Sequence, residues 1–164
     1  MILQMHFSKP IPDYRLRCIE SVKAAYPDEP YKMIDAIEEV NYYREKIRKE
    51  YGVYLPVAGT IITNTVISDW MRFYFCAEND DIKFFGTDVE LCRKIDGLIP
   101  EQAYFGGGIC LIISQGQRQL FGDWLKDAAQ KNMHFLQKYG HTAAMQIPKE
   151  FYKHHREGRD RWSA

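Results

Sequence analysis

Long apolar runs, closely paired cysteines and any overall excess of charge are all missing from these 164 residues. No window approaches the roughly 18 uninterrupted apolar residues that a membrane span needs. Met1-Ile2-Leu3-Gln4 opens without the basic and apolar regions of a signal peptide. A soluble, cytoplasmic chain with no membrane span is therefore expected. Cys18, Cys76, Cys92 and Cys110 are far apart and form no Cys-x-x-Cys pair. That spacing argues against a cysteine metal site or a disulfide framework and predicts four small buried apolar side chains. The glycine fingerprints of nucleotide loops are missing as well: Gly106-Gly107-Gly108 has neither the P-loop arrangement nor a G-x-G-x-x-G frame opening a helix. It reads as a turn or a close backbone contact. Repeats, low-complexity tracts and linkers are lacking, which predicts one compact domain over residues 1–164.

What is present suffices for a core, since 46% of residues are hydrophobic and 14% aromatic. Lys and Arg balance Asp and Glu at 22 each. The zero hides an asymmetry: residues 131–164 carry seven basic against three acidic residues, and His134, His141, His154 and His155 fall there too. Such a stretch would meet an anion or stay a solvated tail. Residues 150–164 are accordingly read as either a C-terminal lid or a frayed end. Tyr152 and Trp162 among those cations raise nucleic-acid binding, which the zero net charge and the lack of a recognised motif argue against.

Strands and helices alternate along the chain. Ile2–Phe7 is a short apolar run closed by Ser8-Lys9-Pro10-Ile11-Pro12, as a buried first strand would be. From Pro12, the helical spacing of Cys18, Ile19, Val22, Ala25 and Tyr26 runs to Pro27-Asp28-Glu29-Pro30, and Tyr31–Ile34 follows as a second strand. Ile37, Val40, Ile47 and Tyr51 mark one face of an outer helix that Gly52 ends. Another helix starts near Thr60, with Ile61, Ile62, Thr65, Val66, Asp69 and Phe73 on one stripe. Strands are predicted over 82–86 and 109–113, and a long amphipathic helix from Leu120 through Phe135, stopped at Gly140. The βαβ opening and this alternation predict an α/β domain, an open mixed sheet flanked by helices.

Two constellations carry chemistry. Asp69 and Arg72 lie one turn apart, and a carboxylate within an apolar stripe needs a reason. They form either a buried ion pair that orients the helix or a ligand-holding pair at the carboxyl end of the sheet, where open α/β folds bind ligands. Thr87-Asp88-Val89-Glu90 points two carboxylates the same way if the chain stays extended, as an acidic centre or as a solvated loop.

The order of these motifs resembles a known family. Ser68-Asp69-x-x-Arg72, a strand, Thr87-Asp88-Val89-Glu90 and Ile95-Asp96-Gly97-Leu98 are similar to the segment S-D-x-x-R … D-T-D-V … l-D-x-l. That segment marks the DXD-containing sugar transferases of glycosyltransferase family 32, relatives of the glucosylating toxin domains. Met5-His6-Phe7-Ser8-Lys9-Pro10 resembles the family's first strand, Cys18-Ile19-Glu20-Ser21-Val22 its first helix, and His154-His155 with Arg161-Trp162 a C-terminal element. The resemblance implies a GT-A-like, Rossmann-like fold and transfer of a hexose-type sugar from a nucleotide-diphosphate sugar to an unknown acceptor, with retention at the anomeric carbon. It further implies that Asp69 and Arg72 act on the donor sugar beside Ser68, and that His6 and Phe7 line the nucleotide. Thr87 and Asp88 would contact the donor, His155 and Trp162 would cover it, and Asp88 with Glu90 would hold a divalent cation, Mn²⁺ or Mg²⁺. Asp69→Ala is then expected to cost activity more than stability. Gly86 stands where the family has the first Asp of D-x-D, so a weaker cation site is expected, tightened by Gly86→Asp. The same substitution supports an alternative, a non-catalytic module of this fold that binds carbohydrate or protein.

Overall fold

The computed structural model describes residues 1–106 and 110–138, the last eight as helix backbone. The described chain is mixed α/β, with five strands in one open sheet and four helices. The first strand, β1 (Ile2–Met5), leads into α1 (Asp13–Ala25), which begins directly after Pro12. Proline is favoured there because its fixed φ suits a helix entry and no amide hydrogen is lost. Next come β2 (Tyr31–Ile34) and α2 (Ile37–Tyr51), which closes on Gly52 in the left-handed conformation (φ 70°) with its amide bonded to the Arg48 carbonyl. The next helix, α3 (Ile61–Glu78), is opened by a reciprocal pair: the Thr63 amide donates to Thr60 Oγ1, and the Thr60 amide to Thr63 Oγ1. It feeds β3 (Asp81–Phe85), followed by β4 (Ala103–Gly106), β5 (Leu111–Gln115) and α4 (Arg118–Lys138).

The strand order is β2-β1-β3-β5-β4. β1 runs parallel to both β2 and β3, whereas β5 runs antiparallel to β3 and β4. Alternation along the strands divides the core. Leu3, Met5, Ile82, Phe84 and Ile112 face α2, α3 and α4, while Ile2, Phe85 and Ile113 face Val22 of α1 and Tyr26 just after it. The first crossover thus covers one face and the second, through α2 and α3, the other. β1 and β3 therefore lie side by side with their connections leaving in opposite directions, the arrangement that opens a crevice at parallel strand ends.

Several sequence expectations shift. β1 stops at Met5 rather than Phe7, and the strand placed at 109–113 lies at Leu111–Gln115. The short strand β4 was not anticipated; only Ala103 and Phe105 of its four residues are buried, too brief a pattern to stand out. Thr87-Asp88 is a turn, closed by the Val89 amide on the Gly86 carbonyl (3.0 Å), so Asp88 and Glu90 are not alternating residues of an extended chain. On the α3 stripe, Ile61 and Ile62 are exposed. Cys18 and Cys76 are buried as expected, but Cys92 is exposed and Cys110 half-buried. Gly107, Gly108, Gly140 and residues 150–164, with His155 and Trp162, lie outside the described residues.

Phe73 of α3 ties the helical layer together. It stacks on Trp124 at 4.2 Å between ring centroids and also meets Phe105 and Phe121. Phe73→Ala is expected to lower the unfolding free energy by about 3–5 kcal/mol, read from the urea midpoint, because a fully buried ring is lost and a cavity remains.

Candidate functional site

The exits of β1 and β3 place His6 next to Thr87. The His6 amide donates to the Ile34 carbonyl (2.9 Å), which extends the β1–β2 ladder one residue past the strand and holds the ring in place. Both side chains are buried, with His6 Nδ1 3.3 Å from Thr87 Oγ1. Arg15, in the first turn of α1, donates from Nη1 to the same Thr87 oxygen at 2.8 Å. Burial pulls the His6 pKa below its ordinary value and the Arg15 charge acts the same way, against the Ser8 backbone and Asp35. The imidazole is thus biased toward neutrality, and its Nε2 is buried without a hydrogen-bond partner.

On the opposite face α3 supplies a second group. Arg72 Nη2 lies 2.8 Å from Asp69 Oδ1 and donates to Ser68 Oγ at 2.9 Å, while Nε donates to the Ser68 carbonyl at 3.2 Å. The guanidinium carbon sits 4.5 Å from the centroid of the Phe84 ring, a cation–π contact with β3. Asp69 and Arg72 are 3% and 7% exposed, so the pair is buried, as one of the two sequence readings had it. Burial lowers the Arg72 pKa, and the Asp69 carboxylate opposes the shift, followed by Cys110 and Asp88. The side chain is held by Asp69, Ser68 and the Phe84 ring, against the strand β3.

Gly86 has a local reason to be glycine. Its amide donates to the Cys110 carbonyl at 2.6 Å, and a Cβ built on it would lie 2.6 Å from Asp88 Oδ1 and 3.4 Å from that carbonyl. The Asp88 carboxylate thus folds back over the space a side chain at position 86 would take. Gly86→Asp would displace one carboxylate in adding another, which revises the expectation that it simply completes a cation site. Burial raises the Cys110 pKa, with Asp88 adding to it, so this cysteine stays a thiol beside the turn.

The cation expected at Asp88 and Glu90 is constrained by its donors. No three His, Cys, Asp or Glu side chains gather into a metal-holding group among the described residues. Asp88 and Glu90 are both exposed. One carboxylate does not make a protein cage, but it fits a Mg²⁺-like ion that arrives on a diphosphate, since such ions are commonly held by one or two carboxylates plus phosphate oxygens.

The expected residues are brought together in part. Ser68, Asp69 and Arg72 form one cluster, and His6 and Thr87 another. Asp88 directly follows Thr87 of the second cluster and acts electrostatically on Arg72 of the first. Phe7 is half-buried and packs on the core layer of α3, unlike a free stacking platform. Sequence reasoning missed Arg15. Its signal was a cation in the first turn of the helix after β1, where the helix dipole disfavours positive charge and a compensating contact is needed.

The buried pairing gives Asp69 a structural role beside the expectation that Asp69→Ala costs activity more than stability. Asp69→Asn is expected to cost about 3–5 kcal/mol in urea unfolding, because it leaves the Arg72 charge buried without its counter-charge. The double variant Asp69→Asn/Arg72→Met should recover most of that loss.

No family model, curated protein or solved structure matches the chain, so its functional reading rests on the motifs and on this geometry.

Proposed function

We propose that this chain is a nucleotide-sugar-dependent glycosyltransferase that moves a hexose-type sugar to an acceptor. The observation that carries the proposal is the switch point between parallel β1 and β3, where His6 and Thr87 meet, with the buried Asp69–Arg72 pair against Phe84 of β3 on the other face. These are the residues on which the family resemblance rests, and a fold with this strand order holds ligands at that edge.

The chain's own residues would divide the work by face. On the α1 side, His6, Thr87 and Arg15 present hydrogen-bonding groups to the nucleotide half of the donor. On the α3 side, Asp69 and Arg72 sit behind Ser68, and their paired charges orient the sugar half by hydrogen bonds. Asp88 would hold a divalent cation together with diphosphate oxygens, and such an ion, when bound, neutralises charge on the departing diphosphate. Arg72 adds a fixed positive charge in a low-dielectric setting, where it favours the anionic leaving group more than it would in water.

Gly86 favours a second reading, a non-catalytic module, because the first carboxylate of the motif is missing and Asp88 fills its space. Hydrolysis and transfer assayed with a panel of nucleotide sugars, with Mn²⁺ or Mg²⁺, separate the two. The enzyme reading expects metal-dependent turnover that falls about 100-fold in Asp88→Asn with little change in thermal midpoint, since this side chain is exposed. Neither turnover nor metal-dependent nucleotide affinity would leave the binding module.

A further inference from the structure

His6 Nδ1 faces the Thr87 hydroxyl, while Nε2 is buried without a hydrogen-bond partner and the Ser8 backbone lies near the ring. We infer that Arg15 is a positioning residue: through the Thr87 hydroxyl it holds His6 with its proton on Nε2 and so presents a buried N–H to an acceptor oxygen of the ligand at the strand switch point.

The hydrogen count supports that tautomer. Arg15 Nη1 can only donate, so Thr87 Oγ1 accepts from it at 2.8 Å and keeps its own hydrogen to give. His6 Nδ1, 3.3 Å away, is the acceptor in reach. With Thr87 donating to Nδ1, a single group is left unpaired, the Nε2–H. With Nδ1 protonated, two are left, the Thr87 hydroxyl hydrogen and the Nε2 lone pair. The Arg15 charge also favours a lone pair, rather than an N–H dipole, on the side of the ring that faces it. A buried donor with no partner carries an unmet desolvation penalty, which an acceptor oxygen would return. Gln4 repeats the pattern one step earlier on the same face of β1: the Tyr31 hydroxyl donates to its Oε1, and its buried Nε2 has no partner. Arg15 is neither within the family-like motifs nor on a strand, and its effect passes through Thr87.

The tautomer does not depend on the transferase reading, whereas the identity of the ligand rests on it. Nitrogen-15 spectra of the full chain at pH 8, where a histidine is neutral, report which His6 nitrogen carries the proton. His6→Gln assigns the signals. The expected result is protonated Nε2 in the unsubstituted protein and in Thr87→Ser, and a mixture with protonated Nδ1 in Thr87→Val. Arg15→Gln, on a half-buried helix position, should give the same mixture and serves if the valine variant folds poorly. Protonated Nδ1 in the unsubstituted protein, or an unchanged tautomer in both breaking variants, overturns the inference. UDP, uridine and inorganic pyrophosphate are then added separately. UDP should move the Nε2 signal, and Thr87→Val should weaken UDP about tenfold, with Thr87→Ser restoring it. A response to uridine alone assigns the oxygen to the nucleoside, and one to pyrophosphate alone to the diphosphate. UDP binding that leaves Nε2 unmoved overturns the presentation of the N–H. Failure of all three probes to bind, with the tautomer pattern intact, overturns the nucleotide reading of the strand ends and leaves the Arg15–Thr87–His6 relay standing.

Discussion

A guanidinium beneath the edge of a sheet is tolerable only with its counter-charge, and the Asp69–Arg72 pair is the contact on which this site depends. Removing two charges from water costs several kcal/mol each, which their attraction and further hydrogen bonds must offset. Local offsets include Asp69 one turn away, the Ser68 hydroxyl and carbonyl, and the face of the Phe84 ring. They come from one helix and the strand it feeds. The pair therefore fixes the rotation of α3 against β3, and it does so in the middle of the largest apolar cluster.

Buried polar groups lie at both ends of the sheet. At the amino end, Lys83 is also buried, but it is ion-paired with Glu29 at 2.8 Å and Asp81 at 3.3 Å. Its charge is accounted for within the fold, and it binds β3 to the loop before β2. At the carboxyl end, His6 keeps a ring nitrogen without a partner, and Gln4 an amide nitrogen. Unpaired buried atoms occur at both ends, since Ser114 Oγ and Gln115 Oε1 lie opposite Ile82 and Asp81 at the amino end of β3. What sets the His6 end apart is its place at the exits of parallel β1 and β3, where open α/β sheets hold ligands.

Much of this was legible beforehand where the signal was local. Tyr31–Ile34 and the helix ending at Gly52 were placed where they are found, because proline and glycine punctuation bounds them. The pairing of Asp69 with Arg72 follows from helical spacing. The nearness of His6 to Thr87 was implied by the family resemblance alone, since 81 residues separate them and no periodicity can bring them together. Arg15 was invisible for the same reason: its partner is 72 positions away. The extended Asp-Val-Glu failed through a competing local contact, the Gly86–Val89 turn bond.

Local sequence sets an α/β chain, its βαβ opening and the helix that carries a carboxylate in its apolar stripe. Each of these is written in neighbours a few residues apart, where period and backbone preference act directly. Tertiary structure alone decided that β3 pairs with β1 on the side away from β2, and that β5 runs against both β3 and β4. It also decided that Asp88 folds over Gly86 and that Arg15 reaches Thr87. Those choices depend on which faces can be buried together once the whole chain is collapsed, a balance of apolar area and paired polar groups that no single segment contains.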